Sequence, residues 1–252
     1  MCTVQDVYNF INMIAPFETQ EDFDNSGMIV GEKGRKVHGI LVTLDVTENV
    51  VREAIEKGAD LIISHHPLLF HARKNLMEED PEGRILCELV RNRISVISAH
   101  TNLDRSSYSG SACIAGQLGL KSVRVSGYLF IGELPVPAKA HELSVQLEQV
   151  LGTNVRVYGD SNKIIRNLAI AGGSYDIGFT EAIAEGCDAL VTGEVRHHNA
   201  LTASMEHFVL FDGTHWATEA ILVPSLVKAL QNAPSIIKYN IPVYQTECSL
   251  FE

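Results

Sequence analysis

Short apolar runs alternate along the chain with stretches whose apolar residues fall at helical spacing. Val37 to Leu44 is rich in aliphatic and β-branched residues and predicts a strand. Thr47 to Lys57 follows with helical spacing, with Thr47 placed to cap its start and Gly58 to stop it. Leu61 to Ser64 reads as a short buried strand, and Ser95 to Ala99 as another. Between them, Pro81 to Arg93 predicts a helix carrying Ile85, Leu86, Leu89 and Val90. His141 to Leu151 predicts a helix ended by Gly152, and Gly127 to Pro137, with its glycine and prolines, reads as a connector. Such alternation argues for an α/β protein with a largely parallel sheet flanked by helices.

Part of the pattern occurs twice. Glu53-Ala54-Ile55-Glu56-Lys57-Gly58-Ala59-Asp60 resembles Glu181-Ala182-Ile183-Ala184-Glu185-Gly186-Cys187-Asp188, an offset of 128 residues (181 − 53). At the same offset Ile40-Leu41-Val42 meets Leu168-Ala169-Ile170, and Leu61-Ile62-Ile63 meets Ala189-Leu190-Val191. The order agrees without a gap, which favours duplication over a chance match. A second correspondence places Val96-Ile97-Ser98, before His100, against Val209-Leu210-Phe211, before His215. Two related β-α-β units follow: residues 1–126 with 220–252, and residues 127–219.

Composition narrows the classes. The 252 residues are 46% hydrophobic, enough for a sizeable core. The net charge of −11, with no basic cluster, argues against nucleic-acid binding. Cys2, Cys87, Cys113, Cys187 and Cys248 are scattered, odd in number and form no CxxC pair. That suits reduced thiols rather than disulfides or a zinc-thiolate site. The N-terminus has neither a charged nor an apolar leader pattern, and no apolar run approaches membrane-spanning length, so a cytoplasmic protein without a membrane association is expected.

Candidate chemistry lies where the strands end. The run Leu61-Ile62-Ile63 stops at Ser64-His65-His66-Pro67. One core contact would need only one of two neighbouring imidazoles, because adjacent strand residues face opposite ways. Two rings at a strand exit can instead converge on a metal ion. A second exit gives His100-Thr101-Asn102-Leu103-Asp104, and a third gives His215-Trp216-Ala217-Thr218-Glu219. His100/Asp104 and His215/Glu219 share i, i+4 spacing, so each pair shares a face if its segment opens a helix. His71, His197 and His198 also follow strand signals, whereas His38, His141 and His207 read as surface or packing residues. A lone histidine at a strand end is usually structural, and an isolated HxxxE means little; joint placement after three strands is what points to metal. Histidine with carboxylate suits Zn, Fe, Mn or Ni, and two adjacent ions would need a bridge, for which Asp104 and Glu219 are the acidic candidates.

Several motifs stand in the order of a known family: Glu21-Asp22-Phe23-Asp24-Asn25-Ser26-Gly27-Met28-Ile29-Val30-Gly31, Val42-Thr43-Leu44-Asp45, Ser64 to Phe70, His100 to Asp104, Thr192 to Ala200 and Gly213 to Glu219. Over nearly its full length the chain resembles the NIF-three-like dinuclear-metal family, whose members are often called GTP cyclohydrolase I type 2 homologues. The resemblance implies two interleaved α/β units with mixed sheets flanked by helices and a metal cleft between them. It implies two divalent ions per subunit held by His65, His66, Asp104, His215 and Glu219. In that assignment Glu219 bridges, His66 and Asp104 face one ion, and His65 and His215 face the other. His100 is then second to the ligands or substrate-facing, and His197 and His198 lie in a segment near the site; the three are the candidate catalytic residues. A toroidal homohexamer is also implied. Trp216 departs from the family, where a small or polar residue is common, and is expected to narrow the pocket or change its polarity. Asp24-Asn25-Ser26-Gly27 is by composition a turn, which the resemblance makes a shaper of the cleft. Glu194 occupies the repeat position of the lost dyad, for substrate binding or structure, and the absence of GxGxxG around Gly172-Gly173 leaves a dinucleotide site unsupported. The expected function is a metal-dependent hydrolase acting on a small molecule. The alternative is a non-catalytic metal-binding scaffold or regulator.

Overall fold

A computed structural model describes residues 1–248. The chain runs α1 (Val4–Ile14), β1 (Gly27–Val30), β2 (Ile40–Thr43), α2 (Glu48–Glu56), β3 (Leu61–Ser64), α3 (Pro81–Arg91), β4 (Ser95–Ser98) and α4 (Thr101–Asp104). It continues through α5 (Gly110–Gln117), β5 (Lys121–Ser126), β6 (Leu129–Lys139), α6 (Ala140–Leu151), β7 (Arg156–Tyr158), β8 (Ile164–Ala171), α7 (Gly178–Ala184), β9 (Ala189–Thr192), α8 (His197–Met205), β10 (Val209–Asp212) and α9 (His215–Ala220). It ends with α10 (Leu222–Gln231), α11 (Pro234–Tyr239) and β11 (Val243–Gln245). Two compact units result: Met1–Ser106 together with the chain from Val223 onward, and Ser107–Leu222.

Local chemistry sets the helix starts. Thr47 accepts a hydrogen bond from the Val50 amide at the head of α2, and Asp80 accepts one from Gly83 ahead of Pro81 in α3. At the other end, Gly58 (φ +66°) follows α2 in the left-handed region that glycine tolerates.

The first unit holds a five-stranded sheet in the order β1-β4-β3-β2-β11. β2, β3, β4 and β11 are parallel, and β1 is antiparallel at the edge of β4. Leu41, Ile62 and Val96 pack on one face against Val50, Val51 and Ala54 of α2 and Ile85 and Leu89 of α3. The second unit holds a six-stranded sheet in the order β5-β6-β8-β9-β10-β7, parallel only across β8, β9 and β10. Alternation along β8 sends Leu168 and Ile170 into a cluster with Leu143 and Leu147 of α6, and Ala169 and Ala171 into one with Phe179 and Ala182 of α7. Both faces of that sheet are therefore buried at its centre, whereas edge strand β5 is exposed.

The repeat is a repeat of register. Ile40 pairs with Leu61 and Thr43 with Ser64; Leu168 pairs with Ala189 and Ala171 with Thr192. The second correspondence shifts by one residue. Leu61 pairs with Ser95, and Ala189 pairs with Val209, so Ser95 rather than Val96 is the counterpart of Val209. His100 thus stands level with Thr214, not His215: each is the N-cap residue of the short helix that follows.

Two expectations change. The stretch Gly127 to Pro137 is no connector but the turn into β6 and most of that strand. Its prolines mislead because Pro135 and Pro137 fall where the pairing with β8 is interrupted, between Glu133 and Ala138, so no ladder hydrogen bond is lost. The division between units also falls at residues 106 and 222, rather than at the expected 126 and 220. The reason is that β5 pairs with β6 of the second sheet, and Ile114 and Ala115 of α5 belong to its core. The expected first unit runs to residue 252, and 249–252 lie outside the described residues.

Candidate metal centre

Parallel β2, β3 and β4 are neighbours in the first sheet, so their carboxyl ends lie together, where open α/β sheets place their sites. The ladder continues past the strand ends: His65 N–H donates to Thr43 O (3.2 Å), His66 N–H to Leu44 O (2.9 Å), and Ala99 N–H to Ser64 O (2.9 Å). The backbone of the histidine pair is thereby fixed. Its ring centroids are 5.0 Å apart, and that of His100 lies 5.2 Å from His65 and 5.5 Å from His66. The three imidazoles offer ligand atoms all within 4.8 Å of one another.

Each ring is held by Nδ1. His65, fully buried, donates from Nδ1 to the Ala99 carbonyl at 2.8 Å. A carbonyl only accepts, so Nδ1 carries the hydrogen and Nε2 keeps its lone pair. His66 Nδ1 meets Asp45 Oδ1 at 2.7 Å, and His100 Nδ1 meets Asp24 Oδ1 at 2.9 Å. The buried Asp24 carboxylate also accepts from Thr101 N–H (3.1 Å), Thr101 Oγ1 (2.5 Å) and Ser26 Oγ (2.9 Å). Burial pushes its pKa up, but the hydrogen bonds from His100, Thr101 and Ser26 outweigh this and hold it well below the usual carboxylate range. The turn at Asp24 is therefore also the mount for His100. Asp104 closes the single turn of α4, with Oδ1 3.6 Å from His65 Nε2.

The second unit brings together His215, Glu219 and Glu194. His215 opens α9 and Glu219 lies one turn on, their Nε2 and Oε2 atoms 3.1 Å apart. His215 Nδ1 meets Glu194 Oε1 at 2.7 Å. That hydrogen bond is the main cause holding the Glu194 carboxyl below its usual range, against a smaller upward push from burial. Two glycines make the space. A Cβ on Gly173 would come within 2.0 Å of Glu219 Oε1, and one on Gly193 within 2.7 Å of His215 Cα.

Four residues of the two groups carry no marked signal in the sequence: Asp45, Gly173 and Gly193 have no expected role, and Glu194 is open there between substrate binding and structure. The signal available was position: Asp45 follows β2 and Glu194 follows β9, just as the histidines follow β3 and β10. His197 and His198 are exposed in the first turn of α8 and belong to neither group. Trp216 packs against the second unit's core cluster. A histidine–carboxylate contact does not by itself mark a metal site: exposed His38 meets Asp60 at 2.6 Å and joins no group of candidate ligands among the described residues. Convergence is the distinguishing property.

The donor set fits divalent metal. Ligand bonds of about 2.0–2.2 Å at tetrahedral angles separate two ligand atoms by roughly 3.4 Å, and the 3.1 Å of His215–Glu219 lies near that value. Outer acceptors on Nδ1 are the usual companions of metal-bound histidine.

Fold and side chains together define an α/β protein with histidine–carboxylate groups at strand exits that can hold metal. The Duf34/NIF3 (NGG1p interacting factor 3) family matches residues 2–249, and the chain belongs to that family. It is 31% identical over 251 residues to the GTP cyclohydrolase 1 type 2 homolog of Clostridium acetobutylicum, covering 95% of this chain and 94% of that protein. It is 32% identical over 250 residues to the GTP cyclohydrolase 1 type 2 of Helicobacter pylori strain J99, covering 96% and 99%. Among solved structures, Staphylococcus aureus protein SA1388 is similar at a TM-score of 0.94 and 27% identity, covering 99% of this chain and 98% of that one.

Proposed function

We propose that this chain is a metal-dependent hydrolase that binds two divalent ions through His65, His66, Asp104, His215 and Glu219, with Glu219 shared between the ions. Zn, Fe, Mn and Ni all suit this donor set. The observation that carries the reading is the common mounting of four histidines at strand exits, each with Nδ1 on an oxygen acceptor. Bound metal would supply Lewis-acid polarisation of a substrate oxygen and acidification of water.

The protein's own groups then move the proton. His100, grouped with the candidate ligands His65 and His66, is assigned proton transfer through Nε2. Asp24 keeps the Nδ1–H tautomer and, remaining ionised, stabilises the imidazolium that proton uptake creates. His197 and His198 stand outside both groups, and we assign them no step. The relatives' names make a purine nucleotide such as GTP the first substrate to try, with hydrolytic opening of a ring C–N bond as the reaction.

The test is turnover by metal-loaded protein on GTP and on a panel of cyclic amides and phosphoesters. Saturable turnover that disappears in the His65→Ala/Glu219→Ala double variant is expected. Absence of turnover, or turnover unchanged in the double variant, contradicts the reading; bound metal without turnover would favour a scaffold.

A further inference from the structure

The matched registers of the two sheets allow a position-by-position comparison of their strand exits. At the shared offset of 128 residues, His66 stands level with Glu194 and Asp45 with Gly173. In the first unit, the exit after β3 supplies an imidazole and the exit after β2 supplies the carboxylate that holds it, at 2.7 Å. In the second unit the exit after β9 supplies a carboxylate, which holds an imidazole from the next exit, again at 2.7 Å. There the position of Asp45 has become Gly173, whose missing side chain leaves room for Glu219. The same two positions have exchanged roles, from ligand and holder to holder and space.

We propose that Asp45 and Glu194 are positioning residues, one in each unit, that fix the Nδ1–H tautomer and ring direction of His66 and His215 so that Nε2 is presented to metal. The proposal rests on the reading of those histidines as ligands. A neutral imidazole has two tautomers and a free ring rotation, and an acceptor fixed at Nδ1 selects one of each. A carboxylate acceptor also raises the basicity of Nε2, which a neutral carbonyl does more weakly. His65, buried and held by the main-chain carbonyl of Ala99, needs no such side chain. His66 and His215 are more exposed, at 26% and 38% of their side chains, and take theirs from Asp45 and Glu194. Both holders are themselves partly exposed, at 33% and 48%. Exposed pairs contribute little to folding, so a purely structural account predicts almost no effect of removing them.

Metal-stripped protein titrated with Zn2+ alone, followed by calorimetry, tests this without reference to turnover. Asp45→Ala and Glu194→Ala are expected to weaken binding by about 10- to 100-fold. Asp45→Asn and Glu194→Gln, whose amide oxygens can still accept from Nδ1–H, are expected to lose less. Nitrogen-15 NMR of the metal-free protein is expected to show His66 as the Nδ1–H tautomer, lost in Asp45→Ala; His215, whose Nε2 also faces Glu219 at 3.1 Å, is read through Zn2+ affinity alone. Alanine variants that bind Zn2+ like the parent, amide variants that lose as much as alanine, or an unchanged His66 tautomer would overturn the proposal. Weakened binding in a protein that turns over no substrate would sink the hydrolase reading and leave this one standing.

Discussion

Asp24 gathers several polar contacts at the site: His100, Thr101 through both amide and hydroxyl, and Ser26 all donate to it. Replacing it by alanine strips an acceptor from buried or half-buried donors, a loss of about 1–3 kcal/mol for each buried group left unsatisfied. Asp24→Ala is therefore expected to lower the urea midpoint at unchanged slope, and to reduce turnover more than Zn2+ affinity, because His100 lies outside the proposed ligand set. Equal losses in turnover and affinity would argue that His100 is itself a ligand. At this scale the histidines were legible, because two imidazoles at a strand's end have no packing rationale. Their holders were not. Asp24 is 76 residues from His100, and Asp45 and Glu194 each lie 21 from their rings, and only sheet register brings such residues together.

Elements whose residues obeyed local rules were read correctly, as with α2 between Thr47 and Gly58. β6 was missed because proline counts against a strand, yet Pro135 and Pro137 occupy a break in the ladder that no local pattern discloses. The one-residue shift between the units arose the same way: side-chain likeness set Val96 against Val209, whereas backbone pairing sets Ser95 there. The tight approach of the loop after β8 to α9 gives a prediction of its own. Gly173 (φ +64°) and Gly58 (φ +66°) have nearly the same backbone, but a Cβ would meet Glu219 at the first and nothing within 4 Å at the second. Alanine at either site carries a similar left-handed penalty of about 1–2 kcal/mol. Gly173→Ala is expected to lose more stability than Gly58→Ala, and to lower Zn2+ affinity as well. Equal unfolding midpoints and unaltered metal binding would refute the role given to Gly173.

For the molecule as a whole, the return of the chain to its first unit pairs β11 with β2 and brings the residues after it onto one buried carboxylate. Glu53 of α2 accepts from Thr246 Oγ1 (2.5 Å), Glu247 N–H (3.0 Å) and Cys248 Sγ (3.3 Å), which lie just beyond β11. Burial pushes its pKa up, but these hydrogen bonds and Lys57 more than reverse the effect and leave it below the ordinary 4.5. A carboxyl depressed on folding adds stability above its unfolded value, and the gain is lost as pH falls through the folded value. The stability gap between the parent and Glu53→Gln should therefore be widest near neutrality and shrink progressively below about pH 4.5; a gap independent of pH would contradict this. Among the described residues no helix is long and apolar enough to cross a membrane. The homohexamer implied by resemblance predicts a light-scattering mass of six chains, and a monomeric mass would exclude it.

The proposed binding of two divalent ions is read most directly by metal content. Protein purified without added metal, then analysed for its elements alongside His65→Ala/Glu219→Ala, should carry close to two equivalents of transition metal per chain, with most of it absent from the double variant. A parent at background level, or a double variant that keeps its metal, would contradict the account.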